Sequence, residues 1–141
     1  LSIMANGTIA FDTLSTSGQI SGTARSIDAD YLLNGSGKFW ILHNDGATVS
    51  NSFNHSSMTD HGTGGYSNTF TNNMSGADAY SISGHAHAIN DKTTFVNMMS
   101  SNAALSASNY RYQTGYVANT SGGQTNHDCD STSIQVHGDL A

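Results

Sequence analysis

The run His85-Ala86-His87 places two imidazoles two residues apart. On a β-strand such residues point to the same side, because side chains alternate with a period of two. Three copies around a threefold axis would offer six imidazole nitrogens to one transition metal, an octahedral set. Away from such an axis the pair is an ordinary polar strand face, shared with Ser81 and Ser83. Metal binding at His85 and His87 is therefore expected only where a trimer axis meets this face. No other cofactor is expected.

The carboxylates point away from catalysis. All ten acidic residues are Asp. Asp28 with Asp30, and Asp128 with Asp130, form same-face pairs if their segments are extended. Glycoside hydrolysis needs two positioned carboxylates, and nothing in the sequence marks either pair as buried or set beside a base. No Gly-x-Ser-x-Gly element is present. Ser, His and Asp are so frequent that chance triads carry no signal. The sequence is read as a non-enzyme.

Cys129 is the single cysteine, which excludes an intrachain disulfide framework. Its neighbours Asp128 and Asp130 disfavour a thiolate, so a half-buried, strand-edge thiol is expected. His43, His55, His61, His127 and His137 lie beside turns or on polar faces and are expected at the surface or an interface. Tyr110, Tyr112 and Tyr116 share a strand face with Thr114. A tyrosine row of this kind stacks against sugar rings, or packs in a core or between subunits. Packing or interface is the favoured reading, with glycan contact as the alternative. Phe39, Trp40, Phe53, Tyr66 and Phe70 are expected in the core, and truncating Trp40 is expected to cost ~3–5 kcal/mol.

The elements that position these groups read as antiparallel β structure. Short alternating segments recur between Gly, Asn, Asp and Ser clusters. Strands are predicted over Thr8–Leu14, Gly37–His43, Tyr66–Thr71, Tyr80–Ile89, Asn109–Tyr116 and Ser131–Gly138. Asn44-Asp45-Gly46 predicts a hairpin, since all three residue types tolerate positive φ. In the last strand Thr132, Ile134 and Val136 face the core, opposite Ser133, Gln135 and His137. In the central strand Tyr80, Ile82, Ala86 and Ala88 face the core, opposite the two imidazoles. Phe95–Leu105 is read as a long, partly helical loop. The predicted class is all-β with little helix, an antiparallel β-sandwich or small trimeric β module. A single domain over 1–141 is expected, with residues 1–20 as an N-terminal attachment or intersubunit arm.

Composition narrows the partners. The chain has 141 residues, of which 10% are charged, with a net charge of −6. Typical domains carry about 25% charged residues; here Ser, Thr, Asn and Gly supply the polarity. The four basic residues, Arg25, Lys38, Lys92 and Arg111, are scattered. Phosphate recognition needs clustered Lys or Arg, so nucleic acid is not an expected partner. No apolar run approaches the ~20 residues of a membrane-spanning helix. Leu1 to Met4 is too short for a signal peptide, and Met4 is the expected native start.

The opening Met4-Ala5-Asn6-Gly7-Thr8-Ile9-Ala10-Phe11-Asp12-Thr13-Leu14-Ser15-Thr16-Ser17-Gly18-Gln19-Ile20 resembles the start of small virion-associated proteins of marine phages. The middle resembles the C-terminal module of phage tail fibres. It carries Lys38-Phe39-Trp40, then Asn51-Ser52-Phe53-Asn54-His55-Ser56-Ser57-Met58-Thr59-Asp60-His61-Gly62-Thr63-Gly64-Gly65-Tyr66. Ser108-Asn109-Tyr110-Arg111 and the closing Asp128-Cys129-Asp130 are similar in style.

The resemblance implies a virion structural protein, exposed at the particle surface after assembly in the host cytoplasm. It also implies a homotrimer that contacts other virion proteins and host-surface glycan. A tail fibre has a long shaft and an N-terminal adaptor, and this sequence shows neither. Capsid decoration or a head fibre is therefore the alternative, and a monomeric carbohydrate-binding module the second alternative.

Overall fold

A computed structural model describes residues 19–21, 26–28, 31, 35–87, 93–98, 105–117 and 123–141. The strand predicted at Thr8–Leu14 lies outside these residues. So does the expected N-terminal arm, apart from Gln19 and Ile20.

The chain is nearly all β, as its alternating pattern predicts. β1 (Gln19–Ser21) and β2 (Ser26–Asp28) pair as a small antiparallel ribbon. Two larger antiparallel sheets make the sandwich. The first has the order β4 (Val49–Phe53), β3 (Gly37–His43), β11 (Ser131–Gly138), β7 (Tyr80–His87). In the second, β9 (Asn109–Val117) is central. One edge of β9 pairs with β6 (Gly65–Phe70) and then β10 (Gln124–Asn126), the other with β8 (Thr93–Met98). β5 (His55–Asp60) pairs with the far side of β6.

Period-two alternation fixes which side chains meet between the sheets. Phe39 and Ile41 of β3, with Ile134 and Val136 of β11, come from the first sheet. Tyr66 and Phe70 of β6, with Tyr110 and Tyr112 of β9, come from the second, and Met74 joins them. Rings meet edge to face, as the aromatic quadrupole favours: Phe39 lies 5.3 Å from Phe70 and 5.5 Å from Tyr110 between centroids. The outer sides of both β11 and β7 carry polar residues, as their alternation predicts.

Local residue choice sets the corners. Asn44-Asp45-Gly46 forms the expected β3–β4 hairpin, with a 3-10 turn at Asp45–Ala47 and Gly46 at φ 65°. The chain then crosses from the first sheet to the second through one residue, Asn54, at φ 57°. Asn accepts this left-handed conformation more readily than most residues. Its Nδ2 donates to the carbonyls of Lys38 (2.9 Å) and Asn72 (3.1 Å), and its Oδ1 accepts from Asn72 N (2.7 Å).

Two expectations about elements are corrected. The part of Phe95–Leu105 that is described is not helical: Phe95 to Met98 belong to strand β8, hydrogen-bonded along β9. The Asn- and Ser-rich run after Met98 obscures, in the sequence, a strand that includes Thr93, Thr94, Phe95 and Val96. Trp40 and Phe53 are not core residues, being 38% and 54% exposed. Phe39 to Leu42 is apolar on both faces, so its phase is invisible in the sequence. Phe39, Ile41 and His43 took the inner side.

Candidate functional site

β3 turns Trp40 and Leu42 outward, opposite Phe39 and Ile41. Register then builds rows across the outer face of the first sheet. Trp40 pairs with Phe53 on one side and Gln135 on the other, and Gln135 pairs with Ser83. The next row is Asn51, Leu42, Ser133 and His85. All eight side chains belong to exposed or partly exposed residues. The face is thus an aromatic half, Phe53 and Trp40, merging into a hydrogen-bonding half of Gln135, Ser133, Ser83 and His85. A concavity of about 250 Å³ opens along the polar half, lined by Ser83, Gly84, His85, Ser133 and Gln135.

His85 and His87 stand on this face, exposed, while Ala86 between them is buried. Within one chain, no group of three His, Cys, Asp or Glu is placed to hold a metal among the described residues.

The tyrosine row goes the other way. Tyr110 and Tyr112 are fully buried, so neither reaches a glycan or a neighbouring subunit. Tyr116, half-buried, packs its ring against His127 at 5.5 Å. The buried rings serve a polar network instead. Asn68 Nδ2 donates to the hydroxyls of Tyr110 (3.0 Å) and Tyr112 (3.4 Å). The Tyr112 hydroxyl lies 2.7 Å from His43 Nε2, and His43 Nδ1 is 2.9 Å from the Asn44 carbonyl. A carbonyl only accepts, so Nδ1 carries the proton and Tyr112 donates to Nε2. Burial holds both Tyr hydroxyls well above their ordinary range. The expectation that His43 is a surface or interface group is corrected: it is a buried member of this network. An apolar inner face with one satisfied imidazole is indistinguishable in sequence from a strand ending in a polar residue.

Asp128 Oδ1 accepts from Gly64 N (2.6 Å) and the Tyr66 hydroxyl (2.7 Å), tying the segment before β11 to the β5–β6 hairpin. These two donors hold its carboxyl below the usual range, the backbone one most. Asp30 lies outside the described residues. Cys129 is fully buried rather than half-buried, and burial raises its thiol pKa ahead of the two Asp neighbours.

Sequence reasoning missed the outward phase of Trp40 and its alignment with Gln135. The signal available was the clean alternation of β11, which fixes Gln135 as outward. Among the described residues no helix is long and apolar enough to cross a membrane. Comparison with protein-family models, curated proteins and solved structures found no match.

Proposed function

We propose that this chain is a non-enzymatic structural module of a phage particle, of fibre-tip type, working as a homotrimer that attaches the particle to host-surface glycan. The attachment reading is carried by Trp40. The only tryptophan of the chain stands on an outer sheet face, in register with Phe53 and with a neutral polar row. An indole offers a flat apolar surface to the C–H face of a sugar ring, and amides and hydroxyls beside it take the sugar's own hydroxyls. The particle reading is supported by the resemblance of Asn51 to Tyr66 to tail-fibre modules. A low-charge surface rich in Ser, Thr and Asn suits dense packing in an assembly.

The test joins two measurements on the purified chain. Light scattering at micromolar concentration is expected to give three copies, and a clean monomer contradicts the trimer. Binding to purified host envelope polysaccharide is expected for the wild type and is expected to disappear in Trp40→Ala. Equal binding by both proteins contradicts the attachment face. Immunogold labelling of intact particles separates a tail location from capsid decoration.

A further inference from the structure

The outer face of the first sheet has a length as well as a chemistry, and the geometry points to a linear, uncharged oligosaccharide lying across the strands. This rests on the attachment reading above and specifies its ligand. Phe53, Trp40, Gln135 and Ser83 come from four successive strands, β4, β3, β11 and β7, and are paired in register. Three inter-strand steps of ~4.8 Å make a row of about 14 Å, the span of about three linked pyranose rings. A single ring would cover only Trp40 and one neighbour.

The row is graded along its length. At the β4 and β3 end Phe53 and Trp40 offer apolar surface for stacking. At the β7 end the concavity between β7 and β11 exposes the Ser83 hydroxyl, the Gln135 amide and, one row over, His85. These groups donate and accept in pairs, which matches sugar hydroxyls. No Asp stands on either row, and Lys38 lies beyond Trp40 on β3 with its Nζ on Ser36 Oγ at 2.8 Å. Neither row carries an Arg or Lys to pair with a uronate or sialate carboxylate, which favours a neutral ligand.

A second protein copy fits less well. Trp40, Leu42 and Phe53 are 38%, 37% and 54% exposed. Together they show on the order of 250 Å² of apolar surface, against ~450 Å² of apolar area within the ~800 Å² covered on each partner of a stable dimer.

The experiment is calorimetry or array binding of the full chain. The probes are neutral gluco-, manno-, galacto- and N-acetylglucosamine oligosaccharides of one to six units, beside uronic-acid oligomers of equal length. At least one neutral series is expected to bind. Its affinity is expected to rise about tenfold or more from one unit to three and to change little beyond four. Phe53→Ala and Gln135→Ala are each expected to weaken the trisaccharide more than the monosaccharide. Affinity independent of length, or preference for the uronic acids, with binding still lost in Trp40→Ala, overturns the neutral three-ring footprint and leaves the attachment face standing. Binding by no member of the panel, or binding untouched by Trp40→Ala, overturns both.

Discussion

The Tyr112 hydroxyl donates to His43 Nε2 over 2.7 Å, joining the central strand of one sheet to an inner strand of the other. Both side chains are fully buried. Tyr112→Phe leaves the ring packing in place and strips Nε2 of its donor. A buried acceptor without a partner costs ~1–3 kcal/mol. Denaturant unfolding is expected to show that loss with an unchanged slope; an unchanged midpoint contradicts the network.

Acid should weaken the sandwich through the same imidazole. Burial lowers the pKa of His43 below 6.5, and the nearby His55 adds a smaller lowering. Burial also lowers that of His55, partly offset by the Ser57 carbonyl and the Asn68 side chain. Facing His43 are Tyr66 from β6, Tyr112 from β9 and Thr132 from β11. Asp128 stands behind Tyr66 as its acceptor. The folded state thus prefers both imidazoles neutral, whereas the unfolded chain takes up protons near 6.5. Their stabilisation is complete above that value and is lost as pH falls through the folded pKa values. Unfolding midpoints are expected to hold from about pH 8 to 7 and to drop towards about pH 5. His43→Gln is expected to flatten the drop, and an equally steep profile in that variant contradicts the assignment.

Gly115 should tolerate no side chain. It lies on β9 between Phe95 of β8 and Asn126 of β10, and a Cβ there would press on the Thr125 carbonyl and the Phe95 ring. Overpacking of this kind costs ~1–3 kcal/mol. Gly115→Ala is expected to lower the thermal midpoint, whereas Gly46→Ala meets open space but a φ of 65°. That second change should cost only ~1 kcal/mol. Equal, negligible effects of both changes contradict the packing around β9.

Adjacent aromatic residues on β3 should behave in opposite ways. Phe39 is fully buried and Trp40 is 38% exposed. Phe39→Ala is expected to cost ~3–5 kcal/mol, and Trp40→Ala ~1 kcal/mol or less. Thermal melts of the two variants decide it. A loss from Trp40→Ala as large as that from Phe39→Ala contradicts its outward placement.

The sequence carried the β class because glycine and asparagine turns break the chain into segments of strand length with visible alternation. β11 is legible residue by residue: Thr132, Ile134 and Val136 alternate with Ser133, Gln135 and His137, and the burial follows. β3 is not, because Phe39, Trp40, Ile41 and Leu42 are apolar on both sides, and only the partner sheet chooses between them. β5 was hidden for a different reason. Polar strands such as His55–Asp60 take their order from hydrogen bonds to a neighbour, not from their own side chains. The proposed attachment face is illegible in the sequence on a similar ground: its aromatic end sits on β3, and its alignment with Gln135 is a matter of register.

Trp40 reports on its own surroundings, since no other tryptophan contributes to the emission. The most direct test is a fluorescence titration of the folded chain with the neutral oligosaccharides, with acrylamide as quencher. Free Trp40 is expected to be readily quenched. Saturating trisaccharide is expected to shift its emission to shorter wavelength and to protect it from acrylamide. Emission and quenching unchanged at saturation, or an indole already shielded in the free protein, would contradict a binding face centred on Trp40.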